Sequence, residues 1–204
     1  MQAIEVVGLT KTYGDFVAVK EFSFELRQGE VLGLVGPNGA GKTTTLRALG
    51  GIHPPTSGTI RICGFDLSSE PVEAKRRLAF FPDEPRLFDY LTVEEHLLFT
   101  GALYRVEDAR EQVEPLLTEL ELLEKRKALP TELSRGMKQK LMIACGFIHR
   151  PEVLIFDEPL TGLDPLGIRR MKESITRCTW WKSSATRWPS SRTAPAWPTA
   201  RSTI

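Results

Sequence analysis

Apolar and polar residues alternate one by one along residues 2–8 and 16–27, the two-residue period of half-buried strands. Gly14-Asp15 supplies the turn between them. A continuous apolar run at 31–35 suits a buried parallel strand, and beyond the glycine-rich segment at 36–44 a helix is expected to about residue 50. Gly50-Gly51 and Pro54-Pro55 stop that helix. Residues 58–65 predict another strand, and 71–78 a short helix opening at Pro71. From 92 to 149 the period lengthens to that of helices. Thr92 and Glu95 form a capping box, and Val93, Leu97 and Leu98 begin an apolar face. Residues 107–122 are a second amphipathic stretch, and a third runs from Ser134 through Met137, Leu141, Ala144 and Ile148. A short apolar strand at 153–156 and a helix at 165–177, opened by Pro165, complete the pattern. Buried apolar strands at 31–35 and 153–156, each followed by a helical stretch, fit an α/β fold.

Composition narrows the class. A chain of 204 residues can bury one substantial core, with room for a subdomain. Its 27 basic and 26 acidic side chains leave +1, so no global field draws it to nucleic acid. Cys63, Cys145 and Cys178 are too widely spaced for a metal or redox pair and suit a reducing cytosol. The first residues lack a signal-peptide profile, and no stretch approaches the ~20 apolar residues of a membrane span. Any membrane role therefore needs a partner.

Chemistry enters at 36–44, GPNGAGKTT, a complete phosphate-binding loop set between an apolar run and a helix. Gly36, Gly39 and Gly41 allow backbone N–H groups to curl around a phosphate, where the positive end of the helix also favours an anion. Lys42 is placed for the β- and γ-phosphates and Thr43 for a magnesium ion. Asn38 and Thr44, in the same loop, are further candidate nucleotide-binding residues. Much later, VLIFDEP at 153–159 brings Asp157 and Glu158 to the end of a hydrophobic strand. Asp157 is expected to hold magnesium, and Glu158 to orient or deprotonate the attacking water. A solvated strand terminus would also carry two charges; the loop upstream favours the catalytic reading.

LSRGMKQKL at 133–141 and TGLDP at 161–165 complete an ordered set, and with them the chain resembles the ATP-binding subunit of an ABC transporter from residue 2 to about 175. The resemblance implies a P-loop NTPase core over 1–177, with an N-terminal antiparallel β subdomain and an inserted α-helical subdomain at about 83–149. It implies ATP and Mg2+ as ligands, hydrolysis coupled to transport, and a separate membrane permease docked on the helical region and the Asp83 loop. It implies also a homodimer or paired ATPase subunit, cytoplasmic and peripheral on the inner face of the membrane. In that family Ser134 and Gly136 would meet the γ-phosphate bound by the opposite subunit, and Ser134 is also a natural N-cap. Tyr13 matches an adenine-stacking aromatic, and Leu163-Asp164 a loop coupling two sites.

Departures from the family pattern stand beside these matches. Arg135 and Met137 differ from the usual signature loop. Asp83 occupies the place of a glutamine that touches magnesium; a carboxylate can ligate the ion but cannot donate as an amide does. The family's switch histidine is missing, since His53, His96 and His149 all lie upstream of Asp157. Residues 178–204 hold all four tryptophans and contain no Asp or Glu. Shifted by one base, the codons around Trp180-Trp181, Trp188 and Trp197 resemble the stretch that normally follows the switch histidine. The expectation is therefore a frameshifted, disordered tail, with Pro189, Pro195 and Pro198 unable to form a buried strand. A genuine extension is the alternative. Two further functional readings stay open: a truncated chain that binds ATP without turning it over, and an ABC-type ATPase outside transport.

Overall fold

A computed structural model describes residues 1–157, which form two compact units, 1–78 and 79–157. The first is built on an antiparallel sheet. Strands β1 (Gln2–Tyr13) and β2 (Phe16–Arg27) form a hairpin across Gly14-Asp15, with Tyr13 opposite Phe16. Next come α1 (Lys42–Leu49), β3 (Ser57–Ile62), β4 (Phe65–Asp66) and α2 (Pro71–Arg76). The strand order is β2-β1-β3-β4. Alternation along β1 buries Ile4, Val6 and Leu9, while β3 adds Ile60 and Ile62. The pairing shifts between Val6 and Leu9, where Gly8 adopts φ 61° and donates its N–H to Ser23 Oγ at 2.8 Å.

One expected element does not form. Residues 31–35 lie in no strand. Their side chains still alternate, with half-buried Leu32 and Leu34 between exposed Val31 and Val35. The only sheet among the described residues of this unit is antiparallel and does not include them, so their backbone has no ladder to join. The helix at 71–78 also ends early, at Arg76, because Leu78 already begins the next strand.

The second unit carries β5 (Leu78–Phe81), α3 (Val93–Leu103), α4 (Ala109–Glu119), α5 (Arg135–Phe147) and β6 (Val153–Phe156), with β5 and β6 paired. Single 3-10 turns at Leu123–Lys125 and Pro130–Glu132 connect α4 to α5. One core joins all five elements, from Phe81 through Leu97, Val113 and Leu117 to Leu141, Ile143 and Phe147. The capping box forms as expected: Glu95 N–H donates to Thr92 Oγ1, and Thr92 N–H to the Glu95 carboxylate. Two further first-turn donors of α3 are met by backbone, Val93 N–H by Ala128 O and Glu94 N–H by Arg126 O, each at 3.0 Å. The same junction buries Glu94 between Arg126 and Lys127. Hydrogen bonds from Arg126, then from Lys127, hold its carboxyl down to about 2.

No described helix is long and apolar enough to cross a membrane. Glu158, Leu163, Asp164, the 165–177 helix and the 178–204 tail lie outside the described residues.

Candidate nucleotide site

The phosphate loop owes its shape to two glycines with left-handed backbones, Gly39 at φ 84° and Gly41 at φ 76°. At Gly41 a side chain is excluded twice. The conformation is strained for L-residues, and a Cβ would sit 2.3 Å from the Ala18 carbonyl oxygen on β2. Gly41 is also the N-cap of α1 and provides no side-chain cap. The N-cap therefore offers the first N–H groups of α1 no side-chain acceptor, and a helix N-terminus attracts an anion. The Lys42 ammonium bends back over the loop and donates to Gly36 O at 2.8 Å and Pro37 O at 2.9 Å. Asn38 is exposed, and Thr43 and Thr44 are half-buried.

Tyr13 ends β1 with 47% of its surface exposed and Lys11 Nζ 5.2 Å from its ring centroid. The half-exposed ring thus carries a cation over one face.

In the second unit, β5 and β6 finish side by side. Asp157 N–H donates to Phe81 O at 2.8 Å, and the Phe81 and Phe156 rings stack at 4.6 Å. This brings two candidate metal ligands to one sheet end: Asp157, 4% exposed, directly after β6, and Asp83, two residues after β5. Asp83 Oδ1 is buried with no hydrogen-bond partner among the described residues. A carboxyl oxygen withdrawn from water without a donor is costly, and a hard cation relieves that cost. Carboxylate oxygens are the donors that magnesium takes, so the orphaned Asp83 Oδ1 fits that ion. Thr43, the third expected ligand, belongs to the first unit.

Ser134 caps α5, its Oγ accepting from Met137 N–H at 3.3 Å, and it remains exposed with Arg135 beside it. Gly136 stands half-buried in the first helical turn.

Periodicity alone does not reveal two polar side chains of this unit, His96 at 4% and Gln139 at 0% exposure. Gln139 Nε2 donates to Asp83 O at 3.5 Å, and His96 reaches the same loop further on. The available signal was a polar residue adjoining an apolar stripe, which by itself does not separate a buried tether from a surface group.

A glycine-built loop feeding a helix without a side-chain cap, on an α/β scaffold with carboxylates at strand ends, defines a nucleotide-binding domain of the P-loop NTPase class. Residues 19–161 match the family model described as ABC transporter. The chain belongs to that family, as an ABC nucleotide-binding domain. It is 37% identical over 177 residues to the ABC-type transporter ATP-binding protein EcsA of Bacillus subtilis, covering 86% of this chain and 72% of that protein. It is 45% identical over 165 residues to the Nod factor export ATP-binding protein I of Paraburkholderia xenovorans, covering 80% and 54%. A solved structure described as the ATP-binding subunit of an ABC transporter superimposes with a TM-score of 0.77 at 37% identity, covering 85% of this chain and 73% of that one. The chain thus spans about half to three quarters of the length of these relatives.

Proposed function

We propose that this chain binds Mg-ATP and hydrolyses it to drive a separate membrane permease, working from the cytoplasmic face of the membrane. The observation that carries the reading is the loop at Gly41-Lys42, where a left-handed glycine turns the chain so that the N-terminal end of α1 and a lysine converge. Triphosphate binding replaces the two carbonyl acceptors of Lys42 with β- and γ-phosphate oxygens, which suit an ammonium better because they are charged. Gly36, Asn38, Gly39 and Thr44 line the loop that holds the phosphates, and Tyr13 stacks on the adenine. Thr43, Asp83 and Asp157 are the residues that would hold a magnesium ion, which would supply positive charge to the phosphates. Glu158 aligns the water that attacks the γ-phosphorus, and its carboxylate accepts the proton. Ser134 and Gly136, at the exposed end of α5, reach the γ-phosphate held by an opposing subunit in a dimer. The reaction is phosphoryl transfer to water, accelerated mainly by positioning and electrostatics.

A second reading, nucleotide binding without turnover, is favoured by one observation. All three histidines of the sequence precede Asp157, and residues 158–204 hold none that could touch the γ-phosphate. Titration calorimetry with Mg-ATP on the purified chain tests binding, and phosphate release on the same sample separates the readings. Lys42→Ala is expected to abolish the binding heat. Equal heats for the variant and the parent chain would refute the proposal.

A further inference from the structure

The segment from Pro82 to Leu91 joins β5 to α3 and is exposed at Glu84, Arg86, Phe88, Asp89 and Tyr90. Side chains from the flanking helices hydrogen-bond its backbone: Gln139 of α5 at Asp83 O, and His96 of α3 at Phe88 N–H. The His96 bond is the shorter, at 2.9 Å against 3.5 Å. His96 Nδ1 lies 2.8 Å from Thr92 O, and a carbonyl can only accept. The ring proton must therefore reside on Nδ1, which leaves Nε2 as the acceptor for Phe88 N–H. The ring is itself fixed in place. It is buried on the first turn of α3, Phe88 lies over it at 6.0 Å, and Phe99 closes against Phe88 edge-on at 5.3 Å. A buried imidazole without this pairing would cost more than an apolar residue of the same size, so burial of the ring depends on the Thr92 and Phe88 bonds.

We infer that His96 is a positioning residue: a neutral, single-tautomer latch that holds the far end of the Asp83 segment and so fixes where the Asp83 carboxylate stands. The inference rests on the reading of Asp83 as a magnesium ligand. It also distinguishes two amide replacements. Gln at position 96 places an acceptor near the original Nε2, whereas Asn is too short and retains at best the Thr92 contact.

Two measurements on the full chain test this. Limited trypsin digestion reads the latch through cleavage after exposed Arg86, and calorimetry with ATP in magnesium against ATP in EDTA reads the metal contribution. His96→Asn is expected to speed cleavage after Arg86 by about tenfold, the factor that loss of one hydrogen bond gives. It should also reduce the advantage that magnesium confers on ATP binding, leave binding in EDTA unchanged, and be rescued in both respects by His96→Gln. Amide exchange on the unmutated chain adds a readout free of folding effects, with Phe88 N–H protected relative to Asp89 and Tyr90. An unprotected Phe88 amide, or equal behaviour of the Asn and Gln variants, overturns the latch. Faster cleavage with an unaltered magnesium advantage overturns the positioning role, provided Asp83→Asn does lower that advantage. If Asp83→Asn has no such effect, the metal reading beneath the inference is what fails.

Discussion

Gly146→Ala places two effects of similar size in opposition. Gly146 lies in the last turns of α5, where alanine would raise helix propensity by about 1 kcal/mol. Its added Cβ, however, would meet Phe81 Cε1 at 2.3 Å and Cζ at 2.5 Å. Phe81 has little freedom to yield. It is 1% exposed, stacked on Phe156 at 4.6 Å and set edge-on to Phe147 at 5.9 Å. Overpacking of that kind costs typically about 1–3 kcal/mol, and an aromatic ring wedged on two sides belongs at the upper end. The net expectation is a loss of about 1–2 kcal/mol, read by urea denaturation followed by circular dichroism. The perturbation should also reach the candidate metal site, because Phe81 ends β5 and its carbonyl accepts from Asp157 N–H. A Gly146→Ala variant as stable as the parent, or more so, would show that the ring moves freely and would refute the account of a locked aromatic layer.

Two other changes test separate parts of the second unit. Glu94→Gln should cost about 1–2 kcal/mol near neutral pH, charge-assisted bonds being discounted because Lys127 is 81% and Arg126 34% exposed. Since the folded carboxyl titrates at about 2, below its ordinary 4.5, its contribution is present above about 4.5 and fades as pH falls towards 2. The variant's acid-unfolding curve should therefore converge with the parent's across that window. Thr92→Ala removes the α3 cap and should cost about 1 kcal/mol by the same denaturation assay, with little effect on ATP affinity.

The elements that were legible in the chain are those whose stabilisation is local. The capping box at Thr92 and Glu95 sits within one helical turn, and the β1–β2 hairpin closes over adjacent residues, so both are written in short windows. The phosphate loop is legible for the same reason, its glycines, lysine and helix start being consecutive. Residues 31–35 show the opposite case. Their apolar run carries the strand signal, yet a strand exists only through a neighbour, and pairing cannot be read from the run itself. The Glu94 pair joins residues 32 and 33 positions apart, and the His96 and Gln139 tethers depend on where two helices meet a loop. In each, the polar side chain looks like surface until packing places it inside. Asp157 was legible from the apolar strand before it and Asp83 only through the family resemblance, and it is the fold that brings these candidate ligands to neighbouring strand ends.

The closeness of Gly41 to the Ala18 carbonyl has a practical meaning for anyone trimming this protein. Excising the hairpin would leave every residue of the GPNGAGKTT segment in place, yet it would remove the wall against which that bend is moulded. A miniature ATP-gripping module cut from this scaffold must therefore keep its leading ribbon, even though Ala18 meets the loop through its backbone oxygen alone and offers a nucleotide no polar side chain.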